Sequence, residues 1–201
     1  MHRFRTIAAT VVVGVVLIAC GSTASQSTSP TAVPSQAAQS SGGGAGPSFT
    51  AGAVADLEAL IPSTAGGVTL TKASMQGNDY LVSGNADPAT VKFLQDLGVA
   101  PKDISMAYGI GFSADASSSV AMFVFRASGA NSDQLLAAFK TASNANTSSP
   151  QQWSSTNVGG KQVEASTSGS ETTYLYVKGD VLFFVGASDP AVAAGILNGL
   201  P

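Results

Sequence analysis

The sequence predicts an α+β domain: a mainly antiparallel sheet with about four helices packed on it. Residues 104–113 alternate strictly between large and small side chains, which is typical of a β-strand. Residues 173–185 hold two apolar segments around Gly179-Asp180, a pair that favours a two-residue hairpin turn. Asp-Pro pairs at positions 87–88 and 189–190 indicate helix starts that separate groups of strands. Strands joined by short turns, with helices between the groups, favour α+β over a doubly wound parallel fold.

The remaining elements follow from caps, turns and periodicity. Pro62 ends a first helix, Gly98 stops the second, and Ser132 opens the third. Residues 120–126 are apolar at nearly every position, which predicts a central strand covered on both faces. The predicted helices lie near 54–61, 88–97, 131–139 and 189–197, and the predicted strands at 68–72, 104–113, 120–126, 153–158, 161–165, 173–178 and 181–185.

The alternating strand at 104–113 has two different faces. The large side chains Tyr108 and Ile110 lie on one face, which we expect to point into the core. The other face carries Ser, Ala and Gly, and it either admits a helix packed close to the sheet or meets solvent. If the large face is the core face, Ile110→Asp destabilises the domain more than Ser105→Asp or Ser113→Asp, because it buries an unpaired carboxylate.

The first twenty residues form a targeting segment. His2, Arg3 and Arg5 give it a basic start, and residues 7–19 are apolar and uncharged, as in a signal peptide. The apolar stretch is shorter than the roughly 20 residues that a transmembrane helix needs.

The segment ends in Leu17-Ile18-Ala19-Cys20, which resembles the lipobox of bacterial lipoprotein precursors. The resemblance implies that the Cys20 thiol receives a diacylglyceryl group and that cleavage before Cys20 makes it the first mature residue. It further implies a chain held by lipid at the extracytoplasmic face of the cell membrane, since two acyl chains anchor stably. A plain secretory signal with an incidental Cys, or an uncleaved anchor, is the alternative.

Composition divides the chain into three parts: a signal peptide over 1–19, a lipidated Cys with a linker over 20–50, and a domain over 51–201. Residues 21–50 are uncharged and rich in Ser, Thr, Gly and Pro, which predicts a disordered spacer.

Cys20 is the only Cys, so an intramolecular disulfide is excluded. The domain has no basic cluster, which excludes nucleic acid as a plausible partner.

The inventory of reactive side chains argues against an enzyme. The only His is His2, which leaves with the signal, so Ser-His, Cys-His and His-metal arrangements are excluded from the mature domain. We expect no cofactor and no metal. A hydrolase would have to use carboxylates that converge in three dimensions; the ones to test are Asp103, Asp115, Asp133, Glu164 and Glu171.

Aromatic residues offer the other candidate site. Tyr174 and Tyr176 share one strand face and Trp153 is the only Trp, so these three residues form a weak candidate for a ligand groove. The alternative is that they cover the sheet as half-buried packing residues.

Together these observations predict a membrane-anchored extracytoplasmic lipoprotein with a non-catalytic binding module. Its partner would be an envelope protein, a wall component or a small ligand. The alternative is a carrier of a hydrophobic small molecule or lipid in a cavity between sheet and helices. A carboxylate-dependent hydrolase is the third hypothesis. An apolar cavity of several hundred Å3 would favour the carrier.

Overall fold

A computed structural model describes residues 48–82, 88–114, 118–145, 150–168 and 171–201, which belong to one compact unit. The signal peptide, Cys20 and most of the predicted linker lie outside these residues. The helices are α1 (Ala55–Glu58), α2 (Gly77–Val82), α3 (Pro88–Leu97), α4 (Ser132–Ala145) and α5 (Pro190–Gly199), with a 3-10 turn at Pro101–Asp103. The strands are β1 (Thr64–Ala65), β2 (Val68–Thr69), β3 (Thr71–Gln76), β4 (Ile104–Phe112), β5 (Ser119–Ala127), β6 (Ser154–Val158), β7 (Lys161–Ser168), β8 (Glu171–Lys178) and β9 (Val181–Ala187).

The main sheet has seven strands in the order β3-β4-β5-β9-β8-β7-β6, and each neighbouring pair is antiparallel. Strands β1 and β2 form a separate small hairpin. The predicted α+β class with an antiparallel sheet is therefore confirmed, although the described residues contain five α-helices rather than about four.

The predicted turns and caps position these elements. Gly159 and Gly160 connect β6 to β7 with φ angles of 58° and 76°, a left-handed conformation that glycine adopts without a Cβ penalty. The Asp189 carboxylate accepts a 2.8 Å hydrogen bond from the amide of Ala191 and caps α5 as predicted. The N-terminal cap predicted at Asp87 lies outside the described residues.

Two helices differ from the prediction. Helix α1 spans only four residues. The apolar pattern from Val54 to Ile61 predicted a longer helix, but in the structure it covers one helical turn and the turn that follows. Helix α2 was not predicted, since Gly77 and Asn78 at its start are poor helix formers and its six residues are too few to show an apolar stripe.

The sheet separates two apolar layers. The first, which we call the α5 face, is covered by α1, the β1–β2 hairpin and α5, and its core includes Leu57, Phe183 and Leu197. The second, which we call the α4 face, is covered by α2, α3 and α4, and its core includes Leu135 and Leu182. Strand β5 contributes side chains to both layers, as expected for a strand that is covered on both faces.

The expectation that the large face of β4 is the core face holds only at the start of the strand, where Ile104 is buried and Met106 packs on the α4-face core. The small face is the more deeply buried one: Ala107 is fully buried, whereas Tyr108 and Ile110 are half-buried and Phe112 is 67% exposed. The small residues are needed because neighbouring segments of the α5 face pack directly on the strand. A Cβ atom at Gly111 would lie 2.5 Å from the carbonyl oxygen of Thr69. The other possibility for this face, a helix packed close to the sheet, fits α1, which packs against β4.

Candidate functional site

A cavity of about 330 Å3 lies on the α4 face, between the sheet and the helices. We call it the α4-face cavity. Its lining consists of Phe49, Gly77, Tyr80, Thr90, Phe93, Leu94, Ile104, Met106, Phe123, Phe125 and Phe139. These residues are all buried or half-buried, and none of them is charged. The only polar groups on their side chains are the hydroxyls of Tyr80 and Thr90.

Helices and strands that are distant in sequence build this cavity. Ile104 and Met106 come from β4, and Phe123 and Phe125 come from β5 beside it. Helices α3 and α4 pack against each other on this side of the sheet and supply other lining residues, among them Phe139. The sequence predicts that Val91, Leu94 and Leu97 of α3 and Leu135, Leu136 and Phe139 of α4 face inward. This holds for all of them except Val91, which is 40% exposed, and Leu94 and Phe139 also border the cavity.

Aromatic rings give the cavity its shape. Phe93 contacts Phe125 edge-on, with ring centroids 5.4 Å apart, and it contacts Phe139 with centroids 6.5 Å apart. Phe139 contacts Phe184 in turn, with centroids 6.4 Å apart. Edge-on contacts hold rigid rings at an angle to one another. Rigid side chains fixed in this way adapt less to an adjoining space than flexible ones such as methionine do.

The first described residues form one wall of the cavity. Thr50 pairs with Ser74 at the edge of the sheet, with N–H···O distances of 2.9 and 3.1 Å. Phe49 lines the cavity and packs edge-on against Tyr108, with ring centroids 4.9 Å apart. The cavity therefore adjoins the point at which the predicted linker enters the domain.

The three aromatic residues proposed from sequence do not lie together. Tyr174 is buried within the α5 face, and Tyr176 stacks on Phe183 of the same face with centroids 5.7 Å apart. The Tyr176 hydroxyl donates a 2.8 Å hydrogen bond to the carbonyl oxygen of Pro201. Trp153 packs on the α4 face, and its Nε1 has no hydrogen-bond partner among the described residues. The two tyrosines share a strand face as expected, but they cover the sheet and do not line a groove with Trp153.

Sequence reasoning did not identify the residues that line the cavity. The apolar stripes of α3 and α4 were visible, but a stripe that packs fully and a stripe that borders a cavity have the same periodicity. A weak signal was the number of Phe residues in α3, β5, α4 and β9, namely Phe93, Phe123, Phe125, Phe139 and Phe184.

A second cavity lies on the α5 face, with a volume of about 520 Å3. It lies between α5 and the segment that runs from the end of α1 into β1. Several of its lining residues are small and solvent-exposed, including Ala59, Gly66 and Gly195. We call it the α5-face depression; like the α4-face cavity it opens to solvent, and it differs in the small, exposed residues of its lining.

The carboxylates considered for a hydrolase do not line either cavity, and Asp115 lies outside the described residues. Glu164 accepts a 2.7 Å hydrogen bond from Lys140 Nζ and a second hydrogen bond from the Ser155 hydroxyl. The Lys140 contact, supported by Ser155, holds the pKa of Glu164 below its ordinary value. The Lys140–Glu164 contact is therefore an ion pair in which the ionised form of the carboxylate is stabilised.

No group of three or more His, Cys, Asp or Glu side chains in the described part of the chain is arranged to hold a metal ion. None of the helices found there has the length and apolar character needed to cross a bilayer.

Comparison with known proteins gives no relative for this fold. No protein-family model matches the chain, and no curated protein or solved structure matches it.

Proposed function

We propose that the protein is a lipid-anchored extracytoplasmic lipoprotein whose domain binds one apolar chain, such as an acyl chain, in the α4-face cavity. The domain acts by binding and not by catalysis. The lipobox-like segment that ends at Cys20 supports the anchor. The observation that carries the choice of ligand is the cavity itself: about 330 Å3, without a charged residue in its lining.

The size and lining favour a single chain over a larger ligand. Ligand cavities commonly measure about 300–1,000 Å3, so this one is near the lower end. Each buried methylene contributes about 0.8 kcal/mol, and the loss of translational and conformational freedom offsets part of the total. An ionised headgroup would have no charged partner in the lining. We therefore expect the headgroup to stay at the rim, in water.

A fluorescent polyene fatty acid tests the proposal. We expect saturable binding of one molecule per chain, with an emission increase that excess palmitate reverses. Met106→Glu is expected to weaken binding at least about tenfold, because it places a carboxylate against the apolar ligand. Val91→Glu is the matched control, since Val91 is exposed on α3 and does not line this cavity.

A second control separates the two cavities. Gly195 lines the α5-face depression, and a Cβ atom there would meet no heavy atom within 4 Å, so Gly195→Leu should fold normally. If Gly195→Leu abolishes binding and Met106→Glu does not, the ligand binds on the α5 face, which contradicts the proposal. Absence of saturable binding in the native protein would refute the proposed function. Thermal melting of each variant excludes unfolding as the cause.

A further inference from the structure

We propose that the α4-face cavity binds its chain in one direction, with the polar head at Tyr80 and the end of the tail at Phe139, and that the head is uncharged. The ligand class is then a single-chain amphiphile with a hydroxyl or ester head, such as a monoacylglycerol. This proposal rests on the proposed function, because it assigns the head and the direction of the chain that the cavity binds.

Sheet topology places Tyr80 and Phe139 at opposite ends of the cavity. Tyr80 belongs to α2, which packs against β3 and β4 at one edge of the sheet. Phe139 belongs to α4, which packs against β8 and β9 toward the middle of the sheet. Since neighbouring strands are about 4.8 Å apart, the two helices are about 14 Å apart across the sheet. Strands β4 and β5 lie between them and supply Met106 and Phe123 to the lining, so a chain that fills the cavity runs from α2 to α4.

The two ends differ in polarity. The α4 end is aromatic: Phe139 contacts Phe93, and Phe93 contacts Phe125. The α2 end carries the phenolic hydroxyl of Tyr80, which is half-buried, and the other hydroxyl of the lining belongs to Thr90, one helical turn before Phe93 on α3. A hydroxyl donates one hydrogen bond and accepts others at the same time, so both residues can bind a ligand group beside any partner within the protein. An amphiphilic chain therefore places its head at Tyr80 and its tail among the phenylalanines.

Charge near the α2 end disfavours an anionic head. Asp79 directly precedes Tyr80 in α2 and is exposed, and α2 contains no basic residue. Lys102 lies in the 3-10 turn that packs against α2, but its Nζ is 3.7 Å from the carboxylate of Asp103, which balances its charge. A carboxylate head at the rim would be repelled by Asp79, and solvent weakens this repulsion without removing it. An uncharged head avoids the repulsion and still forms hydrogen bonds with the hydroxyls.

Displacement of the bound polyene fatty acid by three ligands of equal chain length tests the nature of the head. The ligands are monolaurin, laurate and dodecane, and the dodecane is supplied from cyclodextrin. We expect monolaurin to bind the native protein at least about fivefold more tightly than laurate, because the ionised head of laurate has no charged partner in the lining. Asp79→Asn removes the nearby carboxylate, so it should raise the affinity for laurate about twofold to fivefold and leave monolaurin unchanged.

Removal of single hydroxyls tests where the head binds. Tyr80→Phe keeps the ring and should weaken monolaurin about fivefold to tenfold, the loss expected for one hydrogen bond, while the affinity for dodecane stays the same. Thr90→Val should have the same effect. Tyr108→Phe is the matched control: Tyr108 packs against Phe49 and does not line the cavity, so its hydroxyl should affect neither ligand.

Three outcomes would overturn the proposal and leave the proposed function intact. The first is equal weakening of monolaurin and dodecane by Tyr80→Phe, because the hydroxyl would then act only on the structure. The second is tighter binding of laurate than of monolaurin. The third is labelling of Tyr80 rather than Phe139 by a monoacylglycerol that carries a diazirine at the end of its tail. Failure of the proposed function is distinct from all three, because none of the ligands, dodecane included, would then compete for a saturable site in the native protein.

Discussion

Phe49 packs edge-on against Tyr108, with ring centroids 4.9 Å apart and an interplanar angle of 71°. The next residue, Thr50, pairs with Ser74. The buried Ser74 hydroxyl accepts a 2.6 Å hydrogen bond from the amide of Val54 and donates a 2.6 Å hydrogen bond to Glu58 Oε1. This connected set of contacts joins the start of the domain to strand β3 and helix α1, so packing begins before residue 51, where composition placed the domain boundary.

A truncation series tests that boundary. A chain beginning at Ser48 should have the same free energy of unfolding as one beginning at Gly21. A chain beginning at Ala51 should lose about 1–2 kcal/mol, because it lacks an aromatic pair and the three backbone hydrogen bonds that Thr50 makes with Ser74 and Ala53. Urea denaturation measures the difference, and Phe49→Ala in the Ser48 chain isolates the contribution of the ring. Equal stability of all three chains would show that the Phe49 and Thr50 contacts contribute nothing.

The close packing of the small face of β4 is tested by adding one methyl group. Gly111→Ala would place a Cβ atom 2.5 Å from the carbonyl oxygen of Thr69, so the β2 segment must shift, and we expect a loss of about 1–3 kcal/mol. Gly186→Ala is the matched control in β9, since its nearest contact would be 3.9 Å away. The control should be neutral or slightly stabilising. A neutral Gly111→Ala would mean that β2 does not pack on β4.

The ion pair between Lys140 and Glu164 should contribute stability that depends on pH. Its partners hold the pKa of Glu164 below the ordinary value of 4.5. The contribution is therefore fully present above about pH 4.5 and is lost as the pH falls through the lowered pKa. Lys140→Met should cost up to about 1 kcal/mol at pH 7, because the pair is partly exposed, and less in acid.

Urea denaturation of the Lys140→Met protein across pH 2–7 measures this dependence. Lys92→Met is the control: it breaks the Lys92–Asp96 pair, whose side chains are 68% and 40% exposed, and should change little. A stability difference for Lys140→Met that grows in acid would contradict the sign of the pKa shift.

The sequence predicted what depends on local chemistry and missed what depends on contacts between distant segments. Turns at Gly159-Gly160 and Gly179-Asp180, and the cap at Asp189, follow from backbone conformations that those residues favour. The burial of the small face of β4 could not be predicted in this way. It depends on the packing of β2 against Gly111, and β2 is a separate element of the chain. The α4-face cavity depends on how three helices pack on the sheet, and periodicity does not describe the space left between them.

The lipid anchor has its own test. Cys20→Ser should abolish incorporation of a palmitate analogue in cells, because lipoprotein processing requires the thiol. The variant should appear in the soluble fraction, or as an unprocessed precursor held by residues 1–19. Phe112→Asp serves as the control, since it changes an exposed residue of β4 and leaves the lipobox intact. Equal labelling of Cys20→Ser and native protein would refute the assignment of Cys20.

Photo-cross-linking with a fatty acid that carries a terminal diazirine tests the proposed ligand site most directly. The diazirine inserts into whatever side chain lies beside the end of the acyl chain, and peptide mass spectrometry locates the adduct. The α4-face cavity predicts adducts on peptides containing Phe93, Met106 or Phe139, which excess palmitate suppresses and Met106→Glu removes. Adducts on Gly195 and its neighbours in α5, or labelling that palmitate does not suppress, would contradict it.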